Sequence, residues 1–415
     1  MENYLVVWPK SKDVIHINYH YTDFGEIVDY LNGKFPNQVL AVDCDIDNVK
    51  DITQIIKDYN IQKVAMMVNY ENVENAFKMA DEISQGSKIP VMAYGNLTVN
   101  YPHLFFNSNF NAIYGSGDYQ KSIEMFFNTD PSLGSRKGLI SINGSGSYQV
   151  GDMGEFIDPD EWGYAKPSQV PVFEYDGVKN KNRYVLNISR GCPFSCKHCL
   201  IQMVEGRKER RRSIENVDRA LADITQDYKH IKIWAANFTL DKHYVMQFCD
   251  VLKKYPDVTW ECATRIDLLK DETMIQAMAE AGCRQISIGI ESLNSGKFIE
   301  SKKFSQTQVE EIIKRIQKFG INVKGCVMLG IPGQTKQDIV DTLKFLKDNN
   351  VSTRPTVFTP YHACAPKNIQ ELTSLNRKTY RNDNVEGISP EQLIKLTKDP
   401  FNYEAILEEK EQFKA

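Results

Sequence analysis

The chain has 415 residues, of which 42% are apolar and 25% are charged, and its formal net charge is −4. These values are ordinary for a globular protein of two to three domains and carry no overall signature of a nucleic-acid-binding protein. The nine cysteines are odd in number and, apart from one group of three, scattered singly, which argues against a disulfide framework. The N-terminus shows no signal-peptide pattern, and no apolar run reaches the roughly 18 residues of a membrane span, so we expect a cytoplasmic protein.

Strand and helix patterns alternate over residues 1–130, which is typical of a parallel α/β domain. Short apolar runs predict strands at 5–8, 38–42, 63–68, 89–94 and 111–114. Segments with helical spacing follow them at 26–31, 51–59, 73–83 and 119–127. This succession predicts a doubly wound sheet of the flavodoxin-like or Rossmann-like type.

The loops after the fourth and fifth of these strands are rich in glycine. Gly95 follows the fourth strand, and the turn after the fifth is Gly115-Ser116-Gly117-Asp118. Because ligands bind at the carboxyl ends of parallel strands, glycines there would let a ligand approach the backbone closely. The alternative is a degenerate domain that binds nothing.

A group of three cysteines, Cys192, Cys196 and Cys199, falls within eight residues at CxxxCxxC spacing. The apolar stretch 184–188 just before them predicts a strand, so the thiols lie on a loop at its carboxyl end. Three soft thiolates on a short loop suit an iron–sulfur cluster or zinc. Zinc requires a fourth ligand. His198 lies inside the run, but its direct neighbour Cys199 already supplies the ligand there, and no second CxxC follows. Three structural cysteines are the remaining alternative.

Strand and helix patterns alternate again after the cysteines. Further strands are predicted at 231–235, 258–263, 285–290, 322–328 and 356–359. Helices are predicted at 213–225, 241–254, 268–281, 296–300, 306–319 and 335–348. Together with strand 184–188 these make six βα units, which suggests an open (β/α)6 partial TIM barrel with all carboxyl strand ends on one face.

Several of these strands end in polar residues, glycine or proline: Asn237, Arg265, Glu291, Ser292, Gly330 and Pro332. A carboxylate can accept hydrogen bonds from both hydroxyls of a ribose, and glycines let backbone groups approach a purine. Structural alternatives stay open for two of them. Glu291 would then be a solvated surface carboxylate, and Arg265 would form an ion pair with Asp267 or act as a helix-end charge.

The cysteine motif, with His198 as the aromatic residue just before the last cysteine, resembles the signature of the radical S-adenosylmethionine (SAM) family. The resemblance implies a [4Fe–4S] cluster held by the three cysteines, whose open iron chelates the amino and carboxylate groups of SAM. It further implies SAM contacts at His198, Asn237, Arg265, Glu291, Ser292, Gly330 and Pro332. Asn237 departs from the family pattern, because relatives usually carry Asp-Asp or Gly-Gly-Glu at the end of the second strand.

Residues 1–130 are similar to the cobalamin-binding domain that precedes many radical SAM cores. In that domain the two turns contain Gly-Gly and Gly-Glu-x-Glu, so Gly95-Asn96 and Gly115-Ser116-Gly117-Asp118 match in part. The chain lacks the DxHxxG motif that supplies a histidine to cobalt, a motif that many radical SAM relatives also lack. The resemblance implies cobalamin contacts at Gly95, Gly115 and Gly117.

These observations divide the chain into a cobalamin-binding-like domain (1–130), a linker (131–183) with a short strand at 139–142, a radical SAM partial barrel (184–365) and a C-terminal helical extension (366–415). The resemblance implies a cobalamin-dependent radical SAM methyltransferase. Such an enzyme cleaves SAM reductively to a 5′-deoxyadenosyl radical and methylates an unactivated carbon of a small metabolite, natural product or peptide.

Two alternatives remain at this point. One is a non-methylating radical SAM enzyme that catalyses rearrangement, ring formation or sulfur insertion, with a degenerate cobalamin domain; the other is a cobalamin or redox sensor. The partners expected for the enzyme are its small-molecule or peptide substrate and an electron donor such as flavodoxin or ferredoxin, with no nucleic acid and no membrane.

Overall fold

The computed structural model describes residues 2–12, 20–47, 49–129, 136–143, 146–170, 174, 183–294, 304–361, 363–376 and 380–409. The chain divides into two compact units, each assembled from separate stretches of sequence. The first comprises Met1–Gly191, Leu200–Asn216 and Ala365–Thr373, and the second comprises Cys192–Cys199, Val217–Cys364 and Ser374–Ala415. Within the described residues, no helix is long and apolar enough to cross a membrane.

The first unit is built on a mostly parallel sheet. Its strands over the described residues are β1 Asn3–Trp8, β2 Val39–Asp43, β3 Ile61–Met67, β4 Val91–Tyr94, β5 Ala112–Tyr114, β6 Leu139–Ile142 and β7 Tyr148–Val150. They lie in the order β2-β1-β3-β4-β5-β6-β7, with β1 to β5 parallel and the last two antiparallel. The order β2-β1-β3-β4-β5 is the flavodoxin-like order. Strands β6 and β7 come from the segment predicted to be a linker.

Helices connect these strands: α1 His20–Lys34, α2 Ile52–Asp58, α3 Val73–Gly86, α4 Asn96–Asn100 and α5 Tyr119–Asn128. Local sequence explains where α2 begins, because the Asp51 side chain accepts hydrogen bonds from the backbone N–H groups of Thr53 and Gln54. Strand β1 is buried almost along its whole length, as expected for a parallel sheet covered on both faces. 3₁₀ turns also occur at Pro102–Leu104 and Pro159–Glu161.

The stretch around the cysteines begins and ends at a short ladder within the first unit. Strand β8 spans Arg183–Asn187, β9 Ser189–Arg190, helix α6 Ile201–Val204, and β10 Arg210–Arg211. Strand β10 pairs antiparallel with β9, with Arg210 opposite Arg190. The segment that carries the cysteines therefore connects β9 to β10, the two strands of one two-residue ladder.

The second unit contains a parallel sheet. Its strands are β11 His230–Trp234, β12 Thr259–Thr264, β13 Cys283–Glu291, β14 Asn322–Leu329, β15 Ser352–Thr353 and β16 Thr356–Val357. Their order is β15-β14-β13-β12-β11, and β16 also pairs with β14. Since neighbouring strands are parallel, their carboxyl ends lie along one edge, and Asn237, Arg265, Glu291 and Gly330 follow these ends.

Helices alternate with the strands of the second unit: α7 Ile214–Ile224, which begins in the last residues of the first unit, α8 Lys242–Leu252, α9 Glu272–Glu280, α10 Gln306–Gln317 and α11 Lys336–Asp348. Helix α12 Ile369–Ser374 belongs to the first unit except for its last residue, and α13 Pro390–Lys398 and α14 Tyr403–Glu408 belong to the second. Further 3₁₀ turns lie at Phe238–Leu240, Ile266–Leu268 and Pro400–Asn402. Helix α7 buries Val217, Ala220, Leu221 and Ile224, the spacing of an amphipathic helix. The helix predicted at 296–300 lies outside the described residues.

Candidate active site

The cysteine loop is the centre of the candidate site. Cys192 is buried and Cys196 and Cys199 are partly exposed, and none of the three is in a disulfide. Burial raises the pKa of the Cys192 thiol, as does neighbouring Cys196, whereas the backbone N–H of Phe194 and the Asn237 amide oppose the rise. Over the described residues, no three His, Cys, Asp or Glu side chains converge as ligands of one metal ion. The thiolates of a cubane cluster bind separate iron atoms and need not converge in that way.

Two side chains from neighbouring strand ends donate to cysteine sulfur. The Nδ2 of Asn237, after β11, lies 3.2 Å from the Sγ of Cys192. The Nη1 of Arg265, after β12, lies 3.6 Å from the Sγ of Cys196. Arg265 also forms the ion pair with Asp267 that the sequence left open, with both distances 2.9 Å. The ion-pair interpretation of Arg265 therefore holds: one edge of the guanidinium binds Asp267, and another nitrogen faces the thiol. The contact of Arg265 with SAM stays a prediction.

Glu291 and His198, both predicted SAM contacts, lie together. The Nε2 of His198 is 3.8 Å from the Oε1 of Glu291. Glu291 has a φ of 57°, which a non-glycine residue rarely adopts, at a register shift between β13 and β14. It is only 8% exposed, so the alternative of a solvated surface carboxylate is not what the structure has. Backbone strain of this kind clusters at ligand sites.

The next residue, Ser292, has an unmet hydrogen-bonding group. Its Oγ is buried and has no hydrogen-bond partner among the described residues. Leaving a buried hydroxyl unpaired costs about 1–3 kcal/mol. A ligand hydroxyl at this strand end would satisfy it, which agrees with the predicted ribose contact.

The turn after β14 is held by hydrogen bonds within the protein. The N–H of Gly330 donates to Gln334, and its carbonyl accepts from the side-chain amides of Asn382 and Asn384. With a φ of +83°, a Cβ on Gly330 would lie 2.4 Å from the Oδ1 of Asn382. Packing explains this glycine, and Pro332 is exposed. The adenine contact at both residues stays a prediction.

The glycines of the first unit are likewise explained by close packing. A Cβ on Gly95 would lie 2.5 Å from the Val68 carbonyl oxygen, and one on Gly117 would lie 2.7 Å from that of Glu155. Both glycines have positive φ, and Gly115 packs less tightly, against Ile140 at 3.3 Å. Because the protein's own atoms stand beside these glycines, their contact with cobalamin stays a prediction.

A buried tyrosine lies at the carboxyl end of β4, directly before Gly95. The hydroxyl of Tyr94, the last residue of β4, has no hydrogen-bond partner among the described residues, and the side chain is fully buried. Its ring lies 5.7 Å from that of Tyr119, whose hydroxyl donates to Asn96. Tyr94 and Asn96 flank Gly95, so the end of β4 carries an unsatisfied polar group that the sequence did not single out.

Asp118, in the turn after β5, forms a buried ionic network. Its carboxylate accepts from Arg190 at 3.1 Å and from Arg210 at 2.6 and 3.0 Å. Arg190 also contacts Glu26 at 2.6 Å. Burial raises the pKa of Glu26 to about 7, while Arg190 and Arg212 oppose that rise. Since Arg190 lies on β9 and Arg210 on β10, Asp118 binds both strands at the base of the cysteine loop.

Trp162 packs against three arginines of this network. The ring is fully buried, and the guanidinium carbons of Arg190, Arg210 and Arg212 lie 4.4, 5.4 and 5.5 Å from its centre. Arg212 also donates through Nε to the carbonyl of Asn187 at 2.7 Å. The basic segment 208–212 thus places two arginines in a buried network. Sequence analysis assigned no role to Asp118.

Comparison with known proteins agrees with the cysteine motif. Residues 186–346 match the family described as the radical SAM superfamily. The chain is similar to an uncharacterized methyltransferase of Pyrococcus horikoshii, at 31% identity over 207 residues, which are 46% of this chain and 44% of the relative. It is also similar to bacteriochlorophyllide d C-8(2)-methyltransferase of Chlorobaculum tepidum, at 26% identity, over 42% of this chain and 41% of the relative. The chain thus spans less than half the length of these relatives.

A solved structure with a similar fold is TsrM of Kitasatospora setae, a radical SAM methyltransferase solved with tryptophan substrate and the SAM analog aza-SAM. The TM-score is 0.68 at 16% identity, covering 87% of this chain and 75% of that one. TsrM was also solved with cobalamin and a [4Fe–4S] cluster bound, at a TM-score of 0.66. The similarity confirms the predicted mixed α/β fold with two parallel sheets.

The fold and the cysteine loop define the class of protein: a two-unit α/β protein that presents three cysteines outside any disulfide at the carboxyl edge of a parallel sheet. Within that class, residues 186–346 match the radical SAM domain, in agreement with the cysteine spacing and His198. Such a domain implies a [4Fe–4S] cluster and SAM.

Proposed function

We propose that this protein is a cobalamin-dependent radical SAM methyltransferase that acts on a small metabolite, natural product or peptide. The observation that carries the proposal is the loop of three closely spaced cysteines, with Asn237 and Arg265 donating to two of its sulfurs. Support comes from a fold similar to TsrM over 87% of the chain, a span that is not confined to the radical SAM domain.

The residues present fit a [4Fe–4S] cluster. In this proposal Cys192, Cys196 and Cys199 hold three of its irons as thiolates, the ligand type that such clusters use. Hydrogen bonds from Asn237 and Arg265 favour the charged sulfur over the protonated thiol. Burial of Cys192 limits the access of water on one side of the loop.

The residues near Glu291 fit SAM. The unsatisfied Ser292 hydroxyl and the Glu291 carboxylate would hydrogen-bond to ribose hydroxyls, and His198 would orient that carboxylate. The edge of the first sheet, at Tyr94 and Asn96, would hold cobalamin. When bound, the cluster supplies the electron that cleaves SAM, and cobalamin carries the methyl group. The protein positions these groups and excludes water from them.

The test begins with protein purified without oxygen after expression with cobalamin uptake. Iron, sulfide and cobalamin are measured per chain, and we expect about four irons and about one cobalamin, the composition of one cubane and one corrinoid. Labelled SAM, a one-electron donor such as reduced flavodoxin or ferredoxin, and a substrate panel follow. The panel starts with tryptophan and tetrapyrroles, the compounds named for the similar proteins.

Cys192→Ala, with Cys326→Ala as its matched control, tests the ligand assignment. We expect Cys192→Ala to lose the cluster and SAM cleavage, whereas Cys326→Ala, an exposed cysteine on β14, keeps both. An intact cluster in Cys192→Ala would contradict the ligand assignment. Four irons without cobalamin would contradict the methyltransferase and favour a non-methylating radical enzyme. Four irons without SAM cleavage would favour a sensor.

A further inference from the structure

The side chain of Asn237 does not cap the turn that follows it, although it stands at the capping position. It is the residue before the 3₁₀ turn Phe238–Leu240, and an asparagine there usually caps the turn by accepting a backbone hydrogen bond. No such bond forms here, and the side-chain amide donates instead to the Sγ of Cys192 at 3.2 Å. The residue is 5% exposed, so this bond lies away from water. The side-chain amide of Asn237 is therefore directed at the Cys192 sulfur and not at the backbone of the turn.

Arg265 is held so that one nitrogen faces sulfur. Its Nε and Nη2 bind the two carboxylate oxygens of Asp267, and its guanidinium carbon lies 4.0 Å from the centre of the Phe194 ring. Phe194 belongs to the cysteine loop itself. The Nη1 that remains lies 3.6 Å from the Sγ of Cys196. Because Asp267 and Phe194 fix the guanidinium plane, the thiol contact requires no further ordering of a long side chain.

We propose that Asn237 and Arg265 set the reduction potential of the cluster by donating hydrogen bonds to two of its three cysteine ligands. The proposal rests on the proposed function, since it presumes that the loop holds a [4Fe–4S] cluster. Reduction adds negative charge to a cluster that is already anionic, and that charge is shared with the ligand sulfurs. N–H dipoles and the guanidinium charge stabilise the reduced state more than the oxidised state and so raise the potential.

The experiment is a redox titration of the reconstituted, SAM-free protein, followed by electron paramagnetic resonance of the reduced cluster. In Asn237→Ala we expect the ratio of reduced to oxidised cluster at fixed ambient potential to fall about tenfold, which is a shift of about 59 mV for a one-electron couple. Arg265→Gln should shift the potential in the same direction, because the positive charge is lost. Asn237→Ser, which retains a donor, should restore part of the shift.

Matched controls use an amide and a guanidinium of the same unit that donate elsewhere. Asn349 donates to the Phe345 carbonyl, and Arg315 to the carbonyls of Leu269 and Lys270. Asn349→Ala and Arg315→Gln should leave the potential unchanged.

Failure of the inference is distinguishable from failure of the proposed function. A wild-type protein that never holds about four irons would contradict the proposed function. Four irons in wild type and in Asn237→Ala, with equal potentials, would overturn the inference alone. Loss of iron from both Asn237→Ala and Asn237→Ser would also overturn it, because Asn237 would then be needed to assemble the cluster rather than to tune it.

Discussion

The turns after β5 and after β14 both follow the carboxyl end of a strand in a parallel arrangement, yet their polar groups are satisfied by different kinds of partner. After β5, the Asp118 carboxylate is bound by the guanidinium groups of Arg190 and Arg210. After β14, the Gly330 carbonyl accepts from the neutral amides of Asn382 and Asn384. One turn is fixed by buried charge and the other by uncharged amides.

The difference determines how much folding free energy is lost when a residue of each turn is substituted. Removing one member of a buried ion pair leaves the other charge in a low-dielectric site, which costs several kcal/mol. Removing one of two amide donors from a carbonyl leaves that carbonyl still bonded, so the cost is that of one neutral hydrogen bond. We therefore expect the first turn to respond strongly to substitution and the second in smaller steps.

The largest effect is expected for Asp118→Ala. The substitution leaves the buried Arg190 and the partly buried Arg210 without this carboxylate, and we expect a loss of about 3–5 kcal/mol in the free energy of unfolding. The measurement is urea-induced unfolding followed by circular dichroism. Asp152→Ala, an exposed aspartate of the same unit, is the control and should change stability by less than about 0.5 kcal/mol. Equal midpoints for the two variants would show that charge does not fix this turn.

An intermediate effect is expected for Gly330→Ala, at roughly 1–3 kcal/mol, because φ is +83° there and the new Cβ would overlap the Asn382 side chain. A double-mutant cycle with Asn382→Ala separates the two causes. If overlap contributes, the double variant is more stable than the sum of the single losses implies. Simple additivity would attribute the loss to backbone strain alone.

The smallest effect is expected for Asn384→Ala, at about 0.5–1.5 kcal/mol. The Gly330 carbonyl keeps its bond from Asn382 at 3.0 Å when the Asn384 bond at 2.8 Å is removed. The same unfolding measurement applies, with Asn349→Ala as a control that removes one amide donor from a helix end. A loss as large as that of Asp118→Ala would contradict the distinction between charged and neutral turns.

Sequence patterns predicted the features that depend on neighbouring residues. The cysteine loop was predictable because its thiols fall within eight residues and follow an apolar strand. Ser213 was expected to begin α7, and its Oγ does accept from the backbone N–H of Asn216 at 3.1 Å. Alternating strand and helix periods predicted both parallel sheets, since period depends on local burial.

Contacts between distant residues were not predictable from such patterns. Asp118 and Arg190 are 72 positions apart, and Asn382 and Gly330 are 52 positions apart. Nothing in the spacing of either pair indicates that they meet. One available signal was the arginine-rich segment 210–212, since several charges close together require partners when they are buried.

The division of the chain into interleaved stretches has a consequence for its synthesis. The first unit includes Ala365–Thr373, and His103 in that unit bonds the Pro366 carbonyl at 2.8 Å. During translation at roughly 5–20 residues per second, about 9 to 35 seconds pass between the emergence of Gly191 and that of Pro366. Over this interval the first unit lacks one of its parts, so its folding is completed only after most of the second unit has been synthesised.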